Sequence, residues 1–268
     1  MIPKVIHYCW FGNGNKNDLM LNCIASWKKY CPDYQIIEWN ESNYDVFSHS
    51  FTKDAYEARK WAFVSDYARL DILNRYGGIY LDTDVELISS LDPFLQYDFY
   101  AGFENDEFVN FGIGFGSVAG HPLLKNIMDC YDQISFPDND FDRRMISCPK
   151  IQTKALKEYG LICNNQNQVI SNCHIFSSEY FCPMSFQTGK TVLTKNTVSI
   201  HHFDMSWFPD NDKALRLREW RFVKVLGPSL GKKVFSVVSF PGKLIKHTKE
   251  GRLIEYLRLL TGKKREKE

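Results

Sequence analysis

The sequence predicts an α/β fold built on a parallel sheet with crossover helices, and three observations lead to this prediction. The chain has 268 residues, of which 44% are hydrophobic and 24% charged, a balance typical of a globular protein with a substantial core. Its opening segments alternate strand-like and helix-like patterns with short connections. A long helical run then ends at two glycines and leads into a short apolar strand. At this length one large α/β domain is favoured over two equal ones.

The first three elements are predicted to be a strand, a helix and a second strand. Residues 4–10 are β-branched and aromatic and stop at a turn-rich stretch, which indicates a strand that ends in a loop. Residues 19–28 carry apolar side chains at helical spacing, and residues 34–39 have the composition of another strand. Because parallel strands need a crossover between them, this order indicates the start of a parallel sheet.

The next predicted element is a helix over Asp54–Tyr76, since good helix formers carry spaced apolar residues and Gly77-Gly78 follows them. Residues 79–81 then form a short apolar strand that ends at Asp82-Thr83-Asp84. Ligands of open α/β sheets bind at the carboxyl ends of strands. The sequence therefore predicts a functional site after this strand.

The rest of the body gives weaker signals. Residues 108–116 alternate large apolar residues with glycine, as a crowded strand does, and a helix is predicted from Gly120 to Tyr131. Residues 135–190 show little periodicity and are predicted to be irregular, whereas residues 198–202 have the pattern of a late strand.

Charge is distributed unevenly along the chain. Residues 1–212 carry 17 Lys and Arg against 27 Asp and Glu, whereas residues 213–268 carry 16 against 5. We therefore predict a catalytic domain over 1–212 and a basic amphipathic helical tail over 213–268, with helical segments at 213–226, 230–249 and 252–260. The acidic body argues against a nucleic-acid partner. The tail is predicted to meet an anionic membrane surface, and the alternative is that its apolar stripes pack on the domain.

The location of the protein is predicted from its cysteines and its start. Eight cysteines show no CxxC pair, and the first residues lack the apolar region of a secretory signal. We therefore expect reduced thiols and a cytoplasmic protein. The longest apolar run is well short of the roughly 18 residues that a membrane-spanning helix needs.

Asp82 and Asp84 are the main candidates for chemistry. In extended backbone two residues apart they point to one side, and paired carboxylates suit Mn²⁺ or Mg²⁺ bound together with substrate phosphates. An isolated pair of this kind is otherwise a solvated turn. The late strand offers His201 and His202 to complete a coordination shell.

Four further residues have both a structural and a functional interpretation. Asp66 and Arg69 are three residues apart on the predicted helix, so they form either an ion pair or a fork that holds sugar hydroxyls. Trp10 ends the first strand, where it stacks on a planar base or packs in the core. Asn110 reaches the sugar or stabilises a turn.

The segment KWAFVSDYARLDILNRYGGIYLDTDV at residues 60–85, with IPKVIHYCWFG at 2–12 and HHFDMSW at 201–207, strongly resembles glycosyltransferase family 32. This family includes bacterial capsular and surface polysaccharide transferases and fungal mannosyltransferases, and it is related to the clostridial glucosylating toxins. The resemblance covers roughly residues 1–210. It implies a GT-A fold, which is a Rossmann-like mixed sheet flanked by helices, and a retaining transferase that uses a nucleotide sugar.

The resemblance also implies roles in donor binding. Trp10 would stack on the base, and Asp66 and Arg69 would contact the donor sugar, with Arg69 also near the diphosphate. Tyr80 and Asp82 would line the ribose and sugar side. Asn110 remains a candidate for the sugar.

The implied metal is Mn²⁺ or Mg²⁺, and Asp84 would ligate it directly beside Asp82. His201 is the first choice for a further ligand and His202 the second, where the toxins place an acidic residue. Ser206 and Trp207 would belong to a loop that closes on the diphosphate. Asp82, Asp84 and Arg69 are thus the expected catalytic residues.

The function expected from the resemblance is transfer of a hexose, galactose or glucose, from a UDP-sugar to a lipid-linked oligosaccharide in bacterial capsular or surface polysaccharide synthesis. The protein would lie peripherally on the inner face of the cell membrane. One alternative is a phosphotransferase of the haloacid dehalogenase type, because Leu81–Val85 fits its strand-then-DxDx[TV] start, although no later acidic motif follows. Another is a non-catalytic sugar-binding scaffold, against which the intact aspartate pair argues.

Overall fold

The computed structural model describes residues 1–206, 208 and 210–249, without the side chains of residues 140, 141, 144 and 241–249. The strands of this part of the chain are β1 (Val5–Cys9), β2 (Gln35–Trp39), β3 (Gly78–Tyr80), β4 (Val85–Leu87), β5 (Phe99–Phe103), β6 (Val109–Asn110), β7 (Phe115–Ser117), β8 (Gln168–Ile170), β9 (Cys173–Phe176) and β10 (Ser199–His201). The α-helices are α1 (Asp18–Tyr30), α2 (Ser50–Glu57), α3 (Trp61–Tyr76), α4 (Pro122–Asp132), α5 (Asp140–Arg143), α6 (Cys148–Glu158), α7 (Ser178–Phe181), α8 (Asp210–Leu226) and α9 (Pro228–Lys249).

The central sheet is mixed. Its strand order is β2-β1-β3-β7-β5-β9-β8, and β6 pairs with β5 beside this path. The strand β1 runs parallel to β2 and β3, whereas β7 runs antiparallel to both β3 and β5. A separate antiparallel pair joins β10 to β4. The expected α/β class, a mixed sheet flanked by helices, is confirmed.

The Gly77-Gly78 pair connects α3 to the central strand β3. Both glycines have positive φ, 65° and 107°, a region that other residues rarely adopt. A Cβ at Gly78 would lie 2.9 Å from the ring of His7 and 2.9 Å from the carbonyl oxygen of Val5. The pair therefore lets the chain turn sharply from the helix into the sheet beside β1.

The core is one apolar cluster between the sheet and its helices. Leu70 and Leu73 of α3 are fully buried, and so are the stacked rings of Phe111 and Phe115, whose centroids are 4.6 Å apart. Burial of such side chains contributes about 1.5–3 kcal/mol each. The core thus fixes α3 against β3 and β7, the elements next to Asp82.

The predicted helix over Asp54–Tyr76 is wrong in one respect, because the chain forms two helices there. Arg59 adopts a left-handed φ of 55°, and the Lys60 N–H bonds back to the Ala55 carbonyl oxygen at 2.9 Å. This arrangement ends α2 and starts α3 in a new direction. A left-handed arginine has no sequence signal of the kind that a glycine gives.

Two further expectations are wrong. Residues 108–116 are not one strand, since β6 and β7 are separated by a turn over 111–114. Residues 135–190 are not irregular, because they contain α5, α6, α7 and the strands β8 and β9. These elements are short, and short elements show too few repeats for periodicity to reveal them.

The chain divides into two compact units. The first comprises Met1–Ser185 and Thr191–Phe208, and the second comprises Phe186–Lys190 together with α8 and α9. The helix α8 starts at Asp210, a little before the predicted tail, and the predicted segment 252–260 lies outside the described residues. The division into a catalytic domain over 1–212 and a tail over 213–268 stays a prediction. None of the helices described is both long and apolar enough to cross a bilayer.

Candidate active site

Asp82 and Asp84 follow the carboxyl end of the central strand β3. The Leu81 N–H donates to the His7 carbonyl oxygen at 3.1 Å, which extends the pairing with β1. The Asp82 N–H donates to the Gly112 carbonyl oxygen at 3.0 Å, and β4 starts directly after Asp84 at Val85. The two carboxylates therefore lie between the central sheet and the β4–β10 pair.

His201 joins the two aspartates. The register of β10 on β4 places His201 opposite Val85, next to Asp84. One donor atom from each of Asp82, Asp84 and His201 lies within 4.8 Å of the others. The structure thus brings together the paired carboxylates and the first-choice histidine.

Asp84 and His201 form a buried ion pair, with 3.3 Å between Asp84 Oδ1 and His201 Nε2. Burial alone would raise the pKa of Asp84, but His201 and the Asp204 N–H, which donates to Oδ2 at 2.7 Å, hold this pKa at about 2. Burial lowers the pKa of His201, yet the Asp84 carboxylate raises it well above its ordinary value. Asp84 is therefore ionised and His201 carries a proton that a bound cation would have to replace.

His202 lies away from this cluster. Its Nε2 is 2.8 Å from Glu86 Oε2, while only its backbone N–H contacts Asp84, donating to the carbonyl oxygen at 3.0 Å. The side chains of neighbouring residues at the end of a strand point to opposite faces. Of the two histidines, the structure places only His201 with the aspartates.

Arg69 connects the helix α3 to the site. Its Nη2 lies 3.1 Å from Asp66 Oδ1 and 3.0 Å from Asp82 Oδ1. Its Nε donates to the Ser65 carbonyl oxygen at 3.1 Å, and the guanidinium carbon lies 4.9 Å from the ring centroid of Tyr80. A guanidinium held on this many sides has little freedom to move. The interpretation of Asp66 and Arg69 as an ion pair is thus correct, and the pair reaches Asp82.

Burial opposes the negative charges around Arg69. Burial raises the pKa of Asp66 to about 6, although the positive charge of Arg69 lowers this pKa. Burial also raises the pKa of Asp82, again against the effect of Arg69. The Tyr80 hydroxyl donates to Asp82 Oδ1 at 3.0 Å. The Arg69 guanidinium and the Tyr80 hydroxyl therefore stabilise the negative charge of two carboxylates that are largely removed from water.

Asn110 lies close to Asp82 and Arg69, at the end of β6. Its Nδ2 donates to Glu104 Oε2 at 2.7 Å, and its Oδ1 accepts from the Gly112 N–H at 2.7 Å. A Cβ added to Gly112 would fall on Asp82 Oδ2 and lie 3.1 Å from Arg69 Nη1. Glycine at 112 is therefore required for the loop to approach the carboxylate.

Three residues of α6 support this loop, and the sequence analysis missed them. The Gln152 and Thr153 side chains accept from the N–H groups of Phe111 and Val109, both at 2.9 Å. The Cys148 Sγ lies 3.5 Å from Arg69 Nη1 and 3.9 Å from Asn110 Oδ1. A prediction of α6 itself was needed to find them, because nothing else in the sequence links residues this far apart.

The remaining candidates lie in loops. Trp10 follows β1 at the same edge of the sheet as Asp82, since β1 and β3 are parallel neighbours. It is half-buried, its Nε1 donates to the Gly14 carbonyl oxygen at 2.6 Å, and Lys16 Nζ lies 5.0 Å from its ring centroid. Ser206 is exposed in a turn after β10, and Trp207 lies outside the described residues.

The residues present fit a divalent cation. Two carboxylates and one imidazole are ligands that Mn²⁺ and Mg²⁺ accept together with substrate oxygens. Asp82, Asp84 and His201 are close enough to share one ion. The cluster could therefore hold a metal, with His201 as the third protein ligand.

A mixed sheet with paired aspartates after its central strand, beside a fixed arginine, is the arrangement expected from the resemblance to glycosyltransferases with a DXD motif. Residues 17–100 match the family described as "Glycosyltransferase sugar-binding region containing DXD motif". The match covers residues 60–85 as part of a longer region, and it confirms the resemblance to glycosyltransferase family 32 found in the sequence.

Curated relatives agree with this class. The chain is 27% identical over 147 residues to inositol phosphoceramide mannosyltransferase 3 of Schizosaccharomyces pombe, covering 50% of this chain and 38% of that protein. It is 30% identical over 141 residues to inositol phosphoceramide mannosyltransferase 1 of the same yeast, covering 46% of this chain and 40% of that protein. The chain thus spans about two fifths of the length of these relatives.

Solved structures give weaker matches. The PaToxG glycosyltransferase aligns with a TM-score of 0.45 and 18% identity, covering 59% of this chain and 69% of that one. A glycosyltransferase involved in the glycosylation of the major capsid of PBCV-1 aligns with a TM-score of 0.43 and 12% identity, covering 82% of this chain and 100% of that one.

Proposed function

We propose that this protein is a metal-dependent, retaining glycosyltransferase that moves a hexose from a nucleotide sugar to a lipid-linked glycan. The observation that carries the proposal is the cluster of Asp82, Asp84 and His201 at the carboxyl end of the central strand. Two of these residues belong to the matched sugar-binding region. Mn²⁺ or Mg²⁺ is the proposed cation, and when bound it would neutralise the charge that develops on the departing diphosphate.

The residues of the chain hold the donor around this cluster. Arg69 is fixed by Asp66, Asp82 and the Tyr80 ring, so its remaining N–H groups are directed before the donor binds. Such preorganised donors stabilise developing negative charge because they need no rearrangement during the reaction. We assign Arg69 to the sugar and diphosphate oxygens, and Asn110 to the sugar.

Trp10 is proposed to bind the nucleotide base. Its indole is held by the Gly14 carbonyl oxygen, so the ring is oriented without a ligand. A planar base stacks on such a ring with favourable dispersion and quadrupole interactions. Ser206 and Trp207 are proposed to cover the diphosphate from the segment after β10.

The donor and acceptor follow from chemical class. UDP-galactose and UDP-glucose are the proposed donors from the family resemblance, and the names of the curated relatives add a mannose donor as a competitor. Those names also describe a lipid acceptor, which fits the proposed lipid-linked oligosaccharide of a bacterial capsular or surface polysaccharide. The proposed location is the inner face of the cell membrane.

The test is donor hydrolysis by the full chain with a panel of UDP- and GDP-sugars, with and without Mn²⁺. We expect one sugar to be released faster with Mn²⁺, and NMR of the newly released sugar, recorded before it mutarotates, to show the anomeric configuration of the donor. The Asp84→Asn variant is expected to lose this stimulation, since it removes a charge that the cation needs.

Glu86→Gln is the matched control, because Glu86 is an acidic residue two positions away that pairs with His202 instead. Equal Mn²⁺ stimulation in Asp84→Asn and in the unaltered chain would refute the metal site. Phosphate release from a simple phosphate ester, with no response to any nucleotide sugar, would favour the phosphotransferase alternative.

A further inference from the structure

The second unit contains a helical hairpin of α8 and α9, in which one side of α9 packs against α8. Gly227 alone connects α8 to α9. The ring centroids of Phe222 and Phe235 are 5.7 Å apart, and Phe235 is buried. A Cβ at Gly231 would lie 2.6 Å from the Phe222 carbonyl oxygen, so the two helices approach closely there. The side of α9 that carries Gly231, Phe235 and Ser239 therefore packs on α8.

Another side of α9 is apolar and exposed. Leu230 and Val237 are seven residues apart, so they lie on one stripe two turns apart, and Val238 lies beside it. Their exposed fractions are 53%, 75% and 53%. Val225 and Leu226 lie at the end of α8, next to the hairpin turn, and their exposed fractions are 79% and 39%. This set of five side chains is called the hairpin face below.

Basic residues surround the hairpin face. Arg221, Lys224 and Lys233 are exposed, and within the part of the chain that the structure describes none of the three takes part in an ion pair. The chain from 213 to 268 carries 16 Lys and Arg against 5 Asp and Glu. An apolar stripe bordered by free cations matches the interface of an anionic bilayer, where apolar side chains enter the acyl boundary and cations meet the headgroups.

We propose that the hairpin face docks on an anionic lipid bilayer, with Leu230 and Val237 inserted and Lys224 and Lys233 at the headgroups. The excess of positive charge favours anionic lipid over a second copy of this hairpin, since two such hairpins would repel each other. This inference deepens the proposed function, because it names the surface that would bring a lipid-linked acceptor to the enzyme.

The test is co-sedimentation of the full chain with vesicles. We expect binding to phosphatidylglycerol–phosphatidylcholine vesicles, little binding to pure phosphatidylcholine, and loss of the binding at high salt. The double variant Leu230→Gln/Val237→Gln is expected to weaken binding by about tenfold or more, because it removes the inserted apolar surface.

The matched control is Val169→Gln/Leu193→Gln, which alters two apolar residues of the first unit with exposed fractions of 59% and 56%. It is expected to bind vesicles like the unaltered chain. Circular dichroism of each variant checks that the helices are retained.

Three results would overturn the proposal. One is equal vesicle binding by the hairpin variant and the unaltered chain, and another is equal binding to neutral and anionic vesicles. The third is absence of vesicle binding together with a dimer, seen by light scattering, that the hairpin variant abolishes. Donor hydrolysis measured without lipid should be the same in the hairpin variant, so failure of the transferase proposal and failure of this surface are separate results.

Discussion

Two neighbouring histidines, the last residue of β10 and the residue after it, have different surroundings, and substitution of each one tests this difference. His201 is buried within 3.3 Å of Asp84, whereas His202 reaches Glu86 at 2.8 Å. We expect His201→Gln to weaken Mn²⁺ affinity by about tenfold or more, as loss of a ligand or of its orientation does.

His202→Gln is the control, and it should leave Mn²⁺ affinity within about twofold, because surface ion pairs contribute little. Calorimetric titration of Mn²⁺ into each variant measures both. If the two variants weaken binding equally, the third ligand is not His201 alone.

Gly112 is the second residue that controls the site. Any side chain there would occupy the position of Asp82 Oδ2, and the loop cannot retreat freely because α6 holds its N–H groups. We expect Gly112→Ala to displace the Asp82 carboxylate and reduce donor hydrolysis by about tenfold or more, since small misplacements of reacting groups are costly.

The thermal midpoint of Gly112→Ala should fall by only a few degrees, which corresponds to about 1 kcal/mol. Gly14→Ala is a comparison, because a Cβ there meets nothing within 4 Å. Full hydrolysis by Gly112→Ala would mean that Asp82 tolerates displacement and is not a metal ligand.

At the scale of elements, His7 joins three of them. On β1 its Nδ1 accepts from Trp39 Nε1 of β2 at 3.0 Å, so its Nε2 donates to the Gly77 carbonyl oxygen at the end of α3, also at 3.0 Å. Both ring nitrogens are thus satisfied by the neutral form. Burial lowers the pKa of His7 to about 4.

This arrangement predicts a pH dependence of stability. Between pH 6.5 and pH 4 the unfolded chain binds a proton at His7 that the folded chain excludes, so the free energy of unfolding decreases as the pH falls through this window. At pH 4 the free energy of unfolding is lower by about 3 kcal/mol because of this proton. Urea unfolding at several pH values measures it.

His7→Gln should unfold more easily at pH 7 but lose most of the pH dependence assigned to this window, while His202→Gln should keep it. If His7→Gln retains the full dependence, the proton is taken up elsewhere.

The elements around Asp82 could be predicted from the sequence because their signals are local. Helix α3, the Gly77-Gly78 pair and β3 follow one another, and each has a signal within its own residues. The support from α6 could not be predicted in this way. Gln152 bonds a backbone N–H that is 41 residues away, and a hydrogen bond between a side chain and a distant backbone leaves no periodic pattern.

The choice of His201 over His202 also needed the structure. Both residues belong to the same predicted strand, and only the register of β10 on β4 decides which ring meets Asp84. A shift of one residue would exchange the two side chains between the faces.

At the scale of the whole molecule, the candidate active site and the hairpin face lie in different units, and the sequences of these two parts carry opposite net charge. The cluster of Asp82, Asp84 and His201 lies in the first unit, whose sequence is acidic. The hairpin face lies in the second, within the basic part of the sequence. A chain of this kind would combine donor chemistry in one unit with membrane contact in the other.

The cysteines give a prediction for the first unit as a whole, because all eight lie within it and all are free. Six are buried, and only Cys130 and Cys163 are partly exposed. Burial raises the pKa of Cys9 and of Cys23 to about 12, which removes the reactive thiolate at neutral pH. We expect two thiols to react quickly with a chromogenic disulfide reagent in the native protein, and eight after unfolding in guanidinium.

The double variant Cys130→Ser/Cys163→Ser should leave no fast thiol while keeping six in guanidinium. Cys148 makes this measurement informative about the site, since its thiol packs against Arg69 and Asn110. A fast thiol in the native double variant that peptide mapping assigns to Cys148 would show that α6 opens away from the loop at Asn110. In that case the support that we assign to α6 would be too weak to hold Gly112 against Asp82.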